Sequence, residues 1–252
     1  MNKIIYLYLG GTKMDIKKGE LEYISDTNIT MGLVRLSDLA DRNKFITKLE
    51  KVLKRMIDIV GSLFGILALI PLTIGIYIAN IIVGDKGPVF YTHERIGKNG
   101  KKFKMYKFRT MCVDSDIKLK ELLETDEAAR QEWEEHRKLR NDPRITKVGN
   151  ILRKTSLDEF PQFINVLKGE MSLVGPRAVV DGEIEKFGFL KNKVLSVKPG
   201  ITGYWAANGR SNTSYEERVR MEAKYVDCFS ILMDIKILFK TVSSVLKKEG
   251  AV

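Results

Sequence analysis

Before residue 110 the chain shows three different patterns of hydrophobic and polar positions. Residues 36–55 carry apolar side chains at roughly helical spacing, which predicts an amphipathic helix. Residues 59–83 then form a run of 25 without a formal charge, and about 20 such residues suffice to span the hydrocarbon core of a bilayer. A charge-free buried helix of this length is uncommon in a small soluble domain. We therefore expect a membrane-inserted segment.

Pro71 lies at the centre of this uncharged segment and leaves twelve residues on each side. As a helix, each half is roughly 18 Å long, which is less than the ~30 Å bilayer core. Two topologies remain open: one kinked span, or a re-entrant helix hairpin. Both flanks are basic, whereas the positive-inside rule expects the excess on one side of a span. The flanks favour the re-entrant hairpin, with both ends cytoplasmic.

The remaining pattern is typical of a helix-rich α+β chain. Residues 4–9 predict a short strand, and the Gly-Lys-Asn-Gly sequence at 97–100 predicts a β-hairpin turn. Residues 101–109 alternate basic with apolar or aromatic side chains, as in a strand with one packed and one cationic face. Residues 114–140 and 214–248 predict helices. The apolar stripe of the last segment suits either core packing or an interfacial helix on anionic lipid.

Composition and charge narrow the function. A hydrophobic content of 44% excludes a wholly disordered chain, and a mean hydropathy of -0.14 excludes a polytopic membrane protein. Two cysteines and two histidines offer little for a disulfide framework or a zinc site. The net charge of +11 suits an anionic partner, and residues 94–113 alone hold seven basic residues against one acid. The strand predicted at residues 101–109 contains Lys107 and Arg109. It is either an edge strand that exposes lysines to solvent or a cationic surface that faces phosphate.

The densest candidate chemistry lies at residues 153–162, RKTSLDEFPQ. Proline is tolerated only in the first turn of a helix, so Pro161 predicts a helix that begins near Asp158. Asp158 could simply cap that helix, or Ser156 and Glu159 could form a capping box. Alternatively, helix-start donors would keep Asp158 ionised as a nucleophile toward phosphorus. Glu159, on a different azimuth, would then hold Mg²⁺.

Two glycine-rich turns complete the candidate site. Gly175 and Pro176 present Arg177, and residues 198–209 lead to Arg210. Glycine allows close backbone approach, and arginine gives forked recognition of phosphate. Neither a P-loop nor a dinucleotide-binding GxGxxG sequence occurs.

These motifs together resemble the bacterial sugar transferases, the monotopic phosphoglycosyl transferases that act on polyprenyl phosphate. The matching segments are KRMID at 54–58 before the Pro-broken segment, KFRTM at 107–111, residues 155–162, residues 165–177 and residues 199–210. Their order is that of the family, and the resemblance covers about residues 51–245. Ala178 and the Gly-Tyr-Trp at 203–205 depart from the commonest family sequence.

The resemblance implies transfer of a sugar 1-phosphate from a UDP-sugar to undecaprenyl phosphate, with release of UMP, at the start of capsule, O-antigen or exopolysaccharide synthesis. It implies Asp158 as nucleophile, Glu159 as a Mg²⁺ ligand, and Arg153 and Arg177 as ligands of lipid or substrate phosphate. Lys107, Arg109 and Arg210 are further candidate phosphate ligands. The enzyme would lie on the cytoplasmic face of the cell membrane and bind membrane lipid but no nucleic acid.

The predicted organisation has three parts. Residues 1–50 are an extension of unknown role, residues 51–85 a re-entrant membrane helix hairpin, and residues 86–252 a small cytosolic catalytic region with a β-hairpin. The alternative hypothesis is a membrane-anchored basic adaptor or nucleic-acid-binding protein, which explains the charge but not the Asp-Glu pair. A third hypothesis is an ordinary glycosyltransferase, which would release UDP. The sequence leaves the sugar and the oligomeric state open.

Overall fold

The computed structural model describes residues 6–9, 12–15, 36–136, 138–209 and 213–246. Its contacts divide the chain into two compact units, Met1–Lys54 and Arg55–Val252. In the first unit, β1 (Tyr6–Leu9) and β2 (Thr12–Asp15) form an antiparallel pair. The strand predicted at residues 4–9 is thus confirmed over its described residues.

One helix, α1 (Leu36–Ile82), contains both the predicted amphipathic segment and most of the uncharged segment. The helix continues through Pro71, so the predicted break into a helix hairpin is not confirmed. Among the described residues, Lys48–Ile82 of this helix is the one stretch long and apolar enough to cross a membrane.

Two small sheets lie in the second unit. Strands β3 (Phe90–Ile96) and β4 (Lys102–Phe108) form an antiparallel hairpin. Asn99 in its turn adopts φ +56°, a conformation that asparagine tolerates better than most residues. The predicted β-hairpin is therefore confirmed. Strands β5 (Ser172–Val174) and β6 (Gly200–Thr202) pair in parallel.

Helices make up most of the remaining described chain, which confirms the helix-rich α+β class. The acidic stretch at 114–140 forms two helices instead of one. The helices after α1 are α2 (Ser115–Thr125), α3 (Glu127–His136), α4 (Lys147–Thr155), α5 (Gln162–Lys168), α6 (Lys191–Val194), α7 (Tyr204–Asn208), α8 (Tyr215–Asp227) and α9 (Ile231–Leu246).

Polar anchors attach α1 to the second unit before Pro71. The Arg55 guanidinium donates to the carbonyls of Val166 and Leu167, at 2.7 and 2.8 Å, both in the last turn of α5. The buried carboxylate of Asp58 accepts from the N–H of Leu173 at 2.9 Å. The KRMID sequence therefore docks α1 on α5 and β5.

Apolar contacts attach the same helix around and beyond Pro71. Leu69 and Ile76 are buried in a cluster with Phe108 and Leu152. The helix thus packs against one unit on both sides of the proline. Its other face is exposed and apolar, with more than half of the side-chain area accessible at Val60, Leu63, Phe64, Leu67, Ile70, Ile74, Tyr77, Ile78, Ile81 and Ile82.

The predicted helix start near Asp158 is wrong. Helix α4 ends when Ser156 enters the left-handed region at φ +56°, and one 3-10 turn, Leu157–Glu159, follows it. Helix α5 begins only at Gln162, with Pro161 as the residue before it. The Ser156 side chain makes no capping hydrogen bond, so the Ser156–Glu159 capping box does not form either. The two acids therefore lie in the connection between two short helices.

Candidate active site

The alternation of side chains along β4 brings a lysine to the 3-10 turn Leu157–Glu159. Phe103 and Met105 are buried in the central core, and Lys107 follows on the same face because side chains alternate along a strand. Asn165 of α5 fixes this strand: its Oδ1 accepts from the Tyr106 N–H at 3.0 Å, and its Nδ2 donates to the Lys104 carbonyl at 2.8 Å. Asn165 is fully buried, so its hydrogen bonds fix the position of β4 relative to α5.

Asp158 and Glu159 meet at this lysine. The Lys107 Nζ lies 2.8 Å from Glu159 Oε1 and 3.5 Å from Asp158 Oδ2. The side chains of Asp158 and Glu159 are 15% and 29% exposed. Adjacent residues of a 3-10 turn lie about 120° apart around its axis, yet the structure brings both carboxylates to one ammonium.

The two carboxylates have different electrostatic surroundings. Burial raises the pKa of Asp158, and Glu159 raises it further, while Lys107 and Arg153 oppose the rise. For Glu159, burial acts in the same direction, but Lys107, Arg177 and Arg95 outweigh it and lower the pKa. Basic side chains, and not the predicted helix-start N–H groups, are what favour the ionised form of Asp158.

Arg153 is positioned by contacts between α4 and the end of the β-hairpin. Its Nε donates to Thr110 Oγ1 at 2.9 Å. Thr110 also contacts α4 through its backbone, because its carbonyl accepts from the Thr146 N–H at 3.0 Å. At Gly149, an added Cβ would lie 2.0 Å from that same carbonyl oxygen. Because Gly149 has no side chain, α4 packs closely against Thr110. Arg153 can therefore reach the Thr110 hydroxyl.

Beside the turn that carries Asp158 and Glu159 lies an open cleft. Close backbone packing of two turns forms its floor: a Cβ on Gly200 would lie 2.1 Å from the Gly175 nitrogen, and one on Gly203 would lie 2.2 Å from the Gly175 oxygen. These glycines thus approach each other's backbone. The polar side chains lining the cleft are Arg95, Lys107, Glu159, Gln162, Arg177, Thr202, Trp205 and Glu222.

The Gly-Pro-Arg turn is held by a buried carboxyl group. Glu222 of α8 accepts the Arg177 N–H at 3.1 Å, and its other oxygen is buried with no hydrogen-bond partner in the described part of the chain. Burial raises the pKa of Glu222 to about 7. The Arg177 guanidinium faces the Trp205 ring, with 5.9 Å between Cζ and the ring centroid. The structure therefore places Arg177 in the cleft, on the Glu159 side.

Two residues of the cleft, Arg95 and Glu222, are not identified as site residues by any sequence pattern. Arg95 was counted only as part of a basic patch, yet the register pairs it with Phe103 on the face that carries Lys107. Glu222 lies in an ordinary amphipathic helix and had no signal of its own. The strand register places Arg95 in the cleft, and a contact from a distant helix places Glu222 there. No local motif marks either residue.

Arg109 does not join this site, and the phosphate-binding role expected for it does not fit. Its guanidinium donates to Asp85 Oδ1 at 2.8 Å and to the carbonyls of Pro88 and Met111 at 2.6 and 2.7 Å. The side chain is 7% exposed. Arg109 instead anchors the chain that follows α1. Arg210 lies outside the described residues.

The residues present fit a Mg²⁺ ion held largely by substrate. Within the described chain, no group of three or more His, Cys, Asp or Glu side chains could form a metal cage. Mg²⁺ commonly binds one or two carboxylates together with substrate phosphates. Glu159, exposed in the cleft beside two arginines, supplies a carboxylate of that kind.

Comparison with known proteins gives one consistent result. The profile of a family described as bacterial sugar transferase matches residues 49–248. The chain is 49% identical over 203 residues to the UDP-galactose-lipid carrier transferase of Erwinia amylovora, covering 80% of this chain and 42% of that protein. It is 47% identical over 210 residues to the undecaprenyl-phosphate galactose phosphotransferase of Salmonella typhimurium, covering 83% and 44%.

A shorter relative is matched over most of its length. The exopolysaccharide production protein ExoY of Sinorhizobium fredii is 43% identical over 198 residues, which are 79% of this chain and 87% of that protein. The match thus spans less than half of the two larger relatives but most of the shorter one.

Proposed function

Because the chain belongs to the bacterial sugar transferase family, we propose that it transfers a sugar 1-phosphate from a UDP-sugar to undecaprenyl phosphate and releases UMP. This reaction would be the first membrane step in the synthesis of a capsule, O-antigen or exopolysaccharide. The names of the relatives support a lipid-linked acceptor, since one is an undecaprenyl-phosphate galactose phosphotransferase and another an exopolysaccharide production protein.

One observation carries the proposal. Asp158 and Glu159 share the Lys107 ammonium at the edge of a cleft that also contains Arg177. A carboxylate among basic groups can attack a phosphorus centre while its neighbours stabilise the charge of the transferred group. A nucleic-acid-binding adaptor would not need a partly buried acidic pair at a cleft.

The proposed chemistry has two steps at Asp158. In the first, a carboxylate oxygen of Asp158 attacks the β-phosphorus of the UDP-sugar. The bond from that phosphorus to the bridging oxygen breaks, its electron pair leaves with UMP, and the sugar phosphate remains as an acyl phosphate. In the second, a phosphate oxygen of undecaprenyl phosphate attacks the same phosphorus and frees the Asp158 carboxylate. A soluble donor and a membrane-bound acceptor can thus use one site in turn.

The surrounding residues have separate tasks in this scheme. Lys107 and Arg153 oppose the burial-induced rise in the pKa of Asp158, so they favour the ionised form of the nucleophile. Both also lie where charge on the transferred phosphoryl group would be stabilised. Positioning of this kind is the main contribution that proteins make to phosphoryl transfer.

Glu159 would hold Mg²⁺ together with the donor phosphates, and the ion would supply charge neutralisation for the diphosphate. We expect EDTA to abolish activity and added Mg²⁺ to restore it. Glu159→Gln, which keeps the shape of the side chain, should greatly weaken activity. Full turnover in chelator would exclude the metal role.

The decisive experiment measures products and the intermediate. A panel of UDP-sugars with undecaprenyl phosphate should release UMP, whereas release of UDP would indicate an ordinary glycosyltransferase. With UDP-sugar alone, one sugar phosphate should be trapped on the peptide that contains Asp158. Asp158→Asn should fold normally but lose turnover by several orders of magnitude. Trapping on another peptide would refute the assignment, and intersecting double-reciprocal lines would indicate direct transfer.

Membrane association of this enzyme is supported by the exposed apolar face of α1. We further propose the cytoplasmic membrane, with the catalytic region on the cytoplasmic face and α1 entering the bilayer without crossing it. The supporting observation is that residues on both sides of Pro71 pack against one unit, through Asp58 before it and Ile76 after it. A crossing helix would carry its second half away from that unit.

A further inference from the structure

Arg95 is a cleft residue that has no strong hydrogen-bond partner among the described residues. Its Nη1 donates to the Ala178 carbonyl at 3.4 Å, which is a long hydrogen bond, and its Nε is buried without a partner among the described residues. A buried guanidinium N–H normally has an acceptor. The strand register holds Arg95 on the cleft face of the β-hairpin, opposite Phe103.

A second guanidinium lies in the same cleft. Burial lowers the pKa of Arg95, and the nearby charge of Arg177 lowers it further, while Glu183 and Glu159 act in the opposite direction. A partly desolvated arginine that is repelled by a second, more exposed one is a costly arrangement in a free protein. An anion between them would supply acceptors and relieve the repulsion, and forked guanidinium groups suit phosphate in particular.

The basic side chains are divided between the two sides of the catalytic pair. Glu159, Lys107, Arg95 and Arg177 line the cleft, whereas Asp158 and Arg153 are not among its lining residues. Lys107 is common to both sides. Arg153 therefore belongs to the Asp158 side, and Arg95 and Arg177 belong to the Glu159 side.

This division matches the geometry of a displacement at phosphorus. The attacking and leaving oxygens lie roughly in line on opposite sides of the transferred group. If Asp158 attacks, the leaving phosphate lies on the side away from Asp158. We propose that Arg95, together with Arg177, binds the phosphate that leaves with the nucleoside, both in the UDP-sugar and in the released UMP. The inference rests on the proposed function for the identity of this phosphate.

The test compares ligands that differ only in phosphate. Uridine, UMP and UDP are titrated calorimetrically into the purified full chain, and into Arg95→Gln and Arg95→Lys. Lys104→Gln is the matched control, because it removes one positive charge from the exposed face of the same β-hairpin. Thermal unfolding of each variant checks its fold. Should Arg95→Gln fail to fold, Arg95→Lys carries the comparison, since lysine keeps the charge but not the fork.

We expect Arg95→Gln to weaken UMP and UDP binding about tenfold or more, the loss of a charge-assisted hydrogen bond to phosphate, and to leave uridine binding unchanged. Arg95→Lys should show a smaller loss, and Lys104→Gln none. The inference is overturned if UMP binds the parent no better than uridine does, or if UMP affinity survives in Arg95→Gln, or if uridine binding falls equally.

Turnover gives an independent readout. In a two-step mechanism, kcat/KM for the UDP-sugar reports the step that expels UMP, and kcat/KM for the lipid reports the other. Arg95→Gln should lower the first by about 100-fold, as for loss of one charge-stabilising donor, with far less effect on the second. Absence of UMP release from every UDP-sugar, with phosphate-dependent binding intact, would refute the proposed function but not the anion site.

Discussion

At the scale of single residues, the site depends on how burial is balanced by nearby charge. Asp158 is buried enough for its pKa to rise, and Lys107 and Arg153 counter that rise. Glu159 is held ionised by Lys107 together with the arginines of the cleft. Among the described residues, Lys107 is therefore the basic residue that stabilises both carboxylates, and its removal should change the pKa of both at once.

Replacing Lys107 with methionine should raise the pKa of Asp158, because the residue that lowers it is lost. The rate falls as pH decreases through the pKa of the nucleophile, so the acid limb of the pH profile should move to higher pH. The plateau should fall by about 100-fold through lost charge stabilisation. Measurement of kcat/KM for the UDP-sugar against pH checks this, with Lys104→Met as control. An acid limb that does not move would contradict the assigned role.

Glu222 predicts a pH dependence of stability. Its pKa is raised to about 7 from 4.5, so the folded protein binds the proton more tightly than the unfolded chain does. Between these pH values the folded state holds more protons, and stability therefore falls as pH rises and levels off above about 7. Glu222→Gln is neutral at every pH. Between pH 5 and pH 8 it should gain up to about 3 kcal/mol relative to the parent.

Chemical unfolding of the full chain in micelles at both pH values measures this difference. Glu216→Gln is the control, because Glu216 is exposed in the first turn of the same helix. If the parent and Glu222→Gln lose stability in parallel as pH rises, the buried carboxyl is not the source of the dependence.

At the scale of elements, the site is a junction of short segments held by buried polar contacts. The 3-10 turn Leu157–Glu159 joins α4 to α5, and α5 is fixed to β4 by Asn165. Asn165 also donates to Glu170 Oε2 at 2.7 Å. The distance between Lys107 and the acidic pair therefore depends on one amide side chain.

Asn165→Ala should destabilise the fold by about 3 kcal/mol, because it leaves the backbone groups of Lys104 and Tyr106 without their partner. Activity should fall further than stability alone requires, since Lys107 is no longer held opposite the turn. Urea unfolding and turnover of the folded fraction separate the two effects. Asn150→Ala, on the exposed face of α4, is the control. Unchanged stability in Asn165→Ala would show that α5 and β4 are held by apolar packing alone.

At the scale of the whole molecule, the second unit has a helix with two different faces. One face of α1 is anchored by Arg55, Asp58, Leu69 and Ile76. The opposite face exposes a continuous row of large apolar side chains, including Phe64 at 71% and Ile82 at 79%. Exposed apolar surface of that extent is typical of contact with lipid or a partner.

The topology predicted from these faces is testable with cysteines. In a background with Cys112 and Cys228 replaced by serine, Lys51→Cys and Lys86→Cys are introduced one at a time in intact cells. Both should react with a membrane-impermeant reagent only after the cytoplasm is opened, because both ends of the segment lie on one side. Labelling of Lys86→Cys from outside would establish a spanning helix.

How well the sequence predicts a feature depends on how far apart in the chain the contacting residues lie. The uncharged segment and the β-hairpin turn at Asn99 are local features, and so is the adjacency of Asp158 and Glu159. Spacing and turn chemistry over a few residues determine them, so the sequence was sufficient. The helix start near Asp158 was predicted wrongly from Pro161, because Ser156 closes α4 in a left-handed conformation that no local rule required.

What the sequence alone determined is the class of chemistry: an acidic pair beside basic residues, next to a segment apolar enough for a membrane. Only the tertiary structure decided which basic residues serve that pair. Lys107 meets Glu159 across 52 positions of chain, Arg177 meets Glu222 across 45, and Arg95 enters through strand register, while Arg109 is drawn away by Asp85. The physical reason is that charge acts through space, and its partners are set by packing between distant elements.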